Sequence, residues 1–403
     1  MTQRIPVRAG QFPIGSTLSH DIYDRSGKLL LRRGTAIASE HQVEHLEQMG
    51  YFDPEAVDIH HVAAERGEAL APQGYLPERK SGPLVSVFAE LGYASERLER
   101  AYASADANLD AEIRSIAAAI RRCCALDADA SLAHLLVPLP FQHTVRHPVN
   151  VAVLATVMLA RQKFDENQVE ATIAACLTMN IGALDLHHEL YYQAESITDF
   201  QRGRIRAHPL ASVQVLRQRG VQDPLWLQIV SQHHEALDGS GYPAGISGAQ
   251  IRPEAQVVSL ADRYCAMISE RASREPLLPT QALKDIHVRH GKSIAPALIS
   301  GLISAMGLYP PGTLVRLANG EAAVVVHRLL DPRNPVVYAL CPSSGTPYDT
   351  PRKRLTASQP AYAISDVLPR KAVSAAIDQE KLWPPTATSG APVAAGAGAA
   401  RGH

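Results

Sequence analysis

The chain has 403 residues, 46% of them hydrophobic, with 39 Lys and Arg against 40 Asp and Glu. That length supports two or three domains with a sizeable core, and the near-zero charge gives no electrostatic basis for binding a nucleic-acid polymer. Aromatic residues make up only 5% and alanine is abundant, which favours helices over a β-sandwich. The N-terminus, MTQRIPVRAGQF, lacks the apolar core of a signal peptide. Residues 14–36 alternate around Asp24-Arg25-Ser26-Gly27, the pattern of a β-hairpin. A short helix is expected over Ser39 to Gly50, so residues 1–52 read as a small α+β module. Residues 53–83 mix proline, glycine and charge without a period and read as a linker.

From 84 to 139 apolar residues recur at three- and four-residue spacing, predicting a helical segment. Residues 140–312 continue as apolar helices with polar interruptions. Asp223-Pro224 marks a helix start, with Asp as cap and Pro at the first position, and Arg252-Pro253 marks another. The apolar run VAVLATVMLA is shorter than the about 20 residues a membrane span needs. Beyond Pro310 the period changes. GTLVRLANGEAAVVVHRLL turns at Asn319-Gly320, and Val336 to Leu340 adds a strand, so residues 313–370 form a β-rich module. Residues 371–403 are expected to be mostly disordered. The Arg352-Lys353-Arg354 run reads as a solvated strand end. The five cysteines form no CxxC pair and point to free thiols in a reducing compartment, hence a cytoplasmic protein. Cys123, Cys124 and Cys176 fall in apolar helical patterns that suit a core.

The histidines carry the chemistry. SQHHEALDGSGYP, Ser231 to Pro243, places His233 and His234 at a helix end, because Asp238-Gly239 begins a turn. Adjacent histidines converge on one ion only where the helix ends. An isolated pair is ordinarily two hydrogen-bonded side chains, and becomes a ligand set only in company. His208-Pro209 is expected to open one helix and His147 another. Asp262 lies in the nearly continuous apolar run QVVSLADRYCAM, where a carboxylate needs a partner or an ion. Four histidines and one aspartate so placed point to a shared metal centre.

The order His147, His208-Pro209, His233-His234-Glu235, Asp238-Gly239-Ser240-Gly241-Tyr242-Pro243 and Ala261-Asp262 resembles the HD-GYP family, over about residues 140 to 312. The resemblance implies a mainly α protein: an HD-type helical bundle with the small N-terminal α+β and C-terminal β-rich modules at its ends. It also implies metal-dependent hydrolysis of cyclic di-GMP in bacterial signalling. Basic residues at Arg271 and Arg274 would face substrate phosphates. Gly239, Gly241 and Tyr242 would contact ligand. The loop of Asp238, Gly241, Tyr242 and Pro243 would also meet partners such as a diguanylate cyclase domain.

The pattern departs from the family at LTMNIGALDL. Met179 and Asn180 stand where the family has its His-Asp pair, and Ala183 where it has lysine. A two-metal centre needs a bridging carboxylate to offset repulsion between cations, and Asn180 offers only a neutral amide. The expectation is therefore no intact catalytic set. One divalent ion (Fe, Mn or Zn) is held by His208, His233 and His234. A second position at His147 and Asp262 is weak or empty. His143, four residues before His147, reads as exposed, as does the His187-His188-Glu189 face. The function expected is regulatory binding of cyclic di-GMP with weak or no hydrolysis. The alternatives are a slow single-metal phosphodiesterase and a scaffold that docks a protein partner.

Overall fold

The computed structural model describes residues 5–6, 18, 22–23, 29–31, 51–52, 84–104, 109–291 and 293–387. The linker read over 53–83, the helix expected at Ser39 to Gly50 and residues 388–403 lie outside them. Two units are resolved, Met1–Glu78 and Arg79–His403. In the first, β1 (Ile5–Pro6), β2 (Ile22–Tyr23), β3 (Leu29–Leu31) and β4 (Tyr51–Phe52) form a sheet in the order β1-β4-β2-β3. β2 and β3 pair antiparallel across the expected hairpin.

The second unit is a helical bundle followed by a sheet. After β5 (Leu84–Val85) come α1 (Val87–Ala103), α2 (Leu109–Leu126) and α3 (Ala128–Ala133). Next are α4 (His143–Leu159), α5 (Glu166–Thr178), α6 (Leu184–Tyr192), α7 (Asp199–Gln218) and α8 (Pro224–Gln232). α9 (Pro253–Ile268), α10 (Pro279–Arg289) and α11 (Pro296–Met306) complete the bundle. Asp223 caps α8 as expected, accepting from Leu225 N at 2.9 Å and Trp226 N at 3.1 Å. α4 and α5 are buried almost all round and form the centre of the core. Residues Glu166–Tyr192 have the length and hydropathy of a membrane-crossing helix, but 72% of that window is buried inside the bundle.

β6 (Leu314–Leu317), β7 (Ala322–His327), β8 (Val336–Cys341), β9 (Arg352–Leu355) and β10 (Ile364–Leu368) form an antiparallel sheet in the order β10-β6-β7-β8-β9. The period of two decides how it sits. Ala322, Val324 and Val326 of β7 join the bundle core, whereas Ala323 and Val325 face a separate cluster with Val315 and Val337. Arg328 at the end of β7 reaches the buried Asp129 of α3, Nε to Oδ1 at 2.5 Å, and locks the sheet to the bundle. Within the basic run on β9, Arg354 is not a solvated end: it pairs with Glu321 at 2.7 Å.

Residues 371–387, expected to be mostly disordered, are packed. α12 (Gln379–Leu382) and β11 (Thr386–Ala387), which pairs with β5, fasten them down. Leu382 and Trp383 are buried, and Trp383 Nε1 donates to Val326 O at 3.2 Å. Two large apolar side chains outweigh the local composition. All five cysteines are free.

Candidate metal centre

α7 carries Pro209 in its interior rather than at its start. Pro209 therefore gives no N–H to the Ile205 carbonyl four residues back. His208 Nδ1 donates to that carbonyl instead, at 2.7 Å. The expectation that His208-Pro209 opens a helix is thus corrected: the ring satisfies the carbonyl that the proline orphans, so the helix continues. His147 likewise lies in the second turn of α4, ahead of an interior Pro148, and does not begin the helix. At both sites tertiary packing overrides the bias of a pre-proline residue away from helix.

His233 caps the C-terminus of α8, and its Nδ1 donates to Val230 O at 2.6 Å. A carbonyl only accepts, so these two bonds fix the protons of His208 and His233 on Nδ1 and leave lone pairs on Nε2. The two Nε2 atoms face each other at 3.1 Å. Two lone pairs at that separation repel unless a positive charge lies between them. The ligand atoms of His208, His233 and His234 lie within 4.8 Å of one another. Burial pushes all three imidazoles down: His208 below its ordinary value, His233 to about 4 with His208 adding to the effect, and His234 well below, aided by His233. They are neutral at pH 7, the form that ligates metal. The donor set, its tautomers and its orientation fit a divalent ion.

The second cluster pairs a histidine with a carboxylate and leaves His147 Nδ1 buried without a partner. His147 Nε2 is 2.7 Å from Asp262 Oδ1. Burial alone would raise the Asp262 carboxyl, but the His147 hydrogen bond outweighs it and holds the group well below the usual carboxylate range. Asn180 lines a cleft of about 200 Å³ together with His147, His208, His234 and Asp262. Met179 does not line it; its side chain is fully buried in the bundle core, and Ala183 is buried as well. Ser212 Oγ of α7 donates to Met179 O at 2.7 Å and accepts from Gly182 N at 3.1 Å. A Cβ on Gly182 would lie 2.3 Å from Ser212 N, so glycine permits this contact.

Residues 130–298 match the family described as HD domain. The chain is 26% identical over 359 residues to a cyclic di-GMP phosphodiesterase of Pseudomonas aeruginosa, a match spanning 84% of this chain and 86% of that protein. It is 22% identical to the cyclic di-GMP phosphodiesterase PdeB of Borreliella burgdorferi, over 47% of this chain and 49% of the relative. A solved HDG"Y"P protein from Bdellovibrio bacteriovorus aligns with a TM-score of 0.47 and 16% identity, over 75% of this chain and 99% of that one.

The rim of the cleft separates the remaining candidates. Arg271 lines the cleft, and its buried Nε has no hydrogen-bond partner. Arg274 is exposed and turns back, Nη2 donating to Ala266 O at 2.7 Å. Tyr242 stacks on His234 with ring centroids 4.6 Å apart, and Arg206 lies 5.3 Å from the Tyr242 ring. Its loop is tied by Glu235 Oε1, which accepts from Ala244 N at 2.7 Å. Gly239 has φ +76, and a Cβ on Gly241 would lie 2.4 Å from Ala236 N, so both positions require glycine. Asp238 is exposed and accepts from Ser240 N at 3.0 Å; Pro243 is half-buried.

Two histidines expected to be exposed line the cleft. His143 stacks on Tyr191 at 4.5 Å, and burial, with His147 beside it, pushes it to about 2. His187 stands edge-on to His208 at 5.5 Å, and burial, then His208, pushes it to about 3. His188 and Glu189 are exposed as expected. The signal for His187 is its spacing: His187 and Tyr191 are four apart on α6, one inward stripe.

Proposed function

We propose that this protein is a receptor for cyclic di-GMP of the HD-GYP type, with one retained metal position and weak or absent phosphodiesterase activity. The observation that carries the reading is a histidine triad, of which His208 and His234 line the cleft, with Asn180 in that same cleft. His208, His233 and His234 would hold a divalent ion, Fe, Mn or Zn. Such an ion supplies Lewis acidity towards a phosphoryl oxygen. The chain's own residues supply the rest. Arg271 presents an unpaired guanidinium to the cleft, suited to a phosphate oxygen. Tyr242 holds the His234 ring in place by stacking. Asn180 brings an amide where the family resemblance calls for a bridging carboxylate, so two cations would share no anionic bridge. His147 Nε2 and Asp262 already pair with each other, although His147 Nδ1 is buried without a partner. The similarity to two phosphodiesterases of cyclic di-GMP supports the ligand class.

Three measurements on the purified full chain test this reading. Metal analysis is expected to give about one ion per chain, and two would refute the single-site reading. Calorimetry is expected to show binding of cyclic di-GMP. Absence of heat would favour a scaffold that meets its partner through the Asp238 to Pro243 loop. Release of linear dinucleotide or GMP is expected to be slow or undetectable, and fast turnover would identify an active single-metal enzyme. Asn180→Asp places a carboxylate in the cleft and should raise both metal content and turnover. Met179→His alone should raise neither, because position 179 faces the core.

A further inference from the structure

Arg146 is the chemical anomaly next to the histidine cleft. It lies on α4 between His143 and His147, its Nη2 donates to Val137 O at 3.0 Å, and its Nε is buried with no partner. No ion pair joins it among the described residues, and burial pushes its guanidinium below the usual arginine value. A half-satisfied buried guanidinium is costly unless something else completes it. Arg146 lines a second cleft, of about 210 Å³, between the bundle and the segment after β10. Phe141, Ile268, Leu277 and Leu368 give it apolar walls. Two carboxylates line this cleft: Glu275 is paired with Lys371 at 3.1 Å, and Glu270 is exposed and forms no ion pair with Arg146; Arg370 donates to Val373 O and Ala375 O. Arg146 is therefore the cation left for a ligand.

The two clefts share His143, His147 and Tyr191 as a common wall. At about 200 and 210 Å³, each falls below the roughly 300–1,000 Å³ of a typical small-molecule site, so a dinucleotide would have to occupy both. We propose that the Arg146 cleft is a base subsite that receives one guanine of a cyclic dinucleotide whose phosphate faces the histidine cleft and Arg271. The apolar walls cover the faces of the planar base, and the guanidinium N–H groups not donated to Val137 O meet the two acceptors on the guanine edge, O6 and N7. Adenine presents a donor in place of O6 and cannot use the fork in the same way. This subsite rests on the cyclic di-GMP reading above and specifies which base it prefers and why.

Calorimetry of the metal-loaded full chain with cyclic di-GMP and with cyclic di-AMP tests the proposal on the parent, Arg146→Ala and Arg146→Lys. The parent is expected to prefer cyclic di-GMP. Arg146→Ala should weaken cyclic di-GMP by about tenfold or more and erase the preference. Arg146→Lys, which keeps the charge and loses the fork, should erase most of it too. Metal content and thermal midpoint, read on each variant, report whether the triad and the bundle remain intact. If Arg146→Ala has a folding defect, the lysine variant decides. An unchanged affinity in a folded variant, or equal loss for both dinucleotides, overturns the subsite while leaving the receptor reading in place. A parent that binds neither dinucleotide overturns the receptor reading, and the subsite with it.

Discussion

Pro209 and His208 act as one device. The proline removes a backbone donor, and the adjacent imidazole replaces it at the Ile205 carbonyl. That bond also sets the tautomer that turns Nε2 towards His233. Pro209→Ala restores the N–H, which then competes with Nδ1 for the same carbonyl. The expected outcome is a metal-free protein more stable by about 1–3 kcal/mol that binds its ion about tenfold more weakly, the size typical for loss of an orienting partner. Denaturant melts and a competitive chelator titration read the two effects separately, and unchanged metal affinity would refute the orienting role. Much of this site was legible in the sequence. His233-His234 at a helix end followed from the Asp238-Gly239 turn, and the isolated Asp262 from its apolar surroundings. The interior position of Pro209 was not legible, because local preference reads proline as a start, and only the ring bond to Ile205 reverses it. His187 was missed because its neighbours His188 and Glu189 are exposed, and a cluster of polar residues hides one that points inward.

At the scale of elements, the docking of α7 onto residues 179–182 brings His208 to the cleft. Ser212 clasps this backbone from both sides, and Gly182 allows the approach. Gly203 lies on the same helix, exposed, with nothing within 4 Å of an added Cβ. The two glycines therefore predict opposite signs for one chemical change. Gly182→Ala forces backbone against backbone and should cost about 1–3 kcal/mol, with weakened metal binding as α7 shifts. Gly203→Ala adds helix propensity and should stabilise by about 0.5–1 kcal/mol without touching the metal. Urea unfolding of both variants beside the parent checks the pair, and matching signs would refute the docking argument. The helices, the Asn319-Gly320 turn and the Asp223 cap were readable from period and turn chemistry. The packed segment 371–387 was not, since its order comes from Leu382 and Trp383 meeting a sheet distant in sequence.

Across the whole molecule, burial of neutral histidines couples stability to pH. His134 and His233 are each pushed by burial to about 4, His187 to about 3 and His143 to about 2, against an ordinary 6.5. Below 6.5 the unfolded chain takes up protons that the folded chain refuses. The folded pKa values are depressed, so the stability these groups contribute is complete above pH 6.5 and drains as the pH falls towards 4 and below. Each such histidine contributes a slope of about 1.4 kcal/mol per pH unit in that window. Glu321 acts in a lower window. The Arg354 hydrogen bond outweighs its burial and holds it at about 2 against 4.5, so its contribution is lost between those values. His134 separates the histidine effect from the metal site. It lies in the core, bonded to Asn150 at 2.9 Å, and is not among the three convergent ligands. Denaturant unfolding from pH 7 to pH 5 should show stability falling with acid. Substituting His134→Gln, which keeps a polar group without the titration, should flatten the slope by about one proton equivalent. A His134→Gln slope as steep as the parent's would show that this ring is not buried in its neutral form.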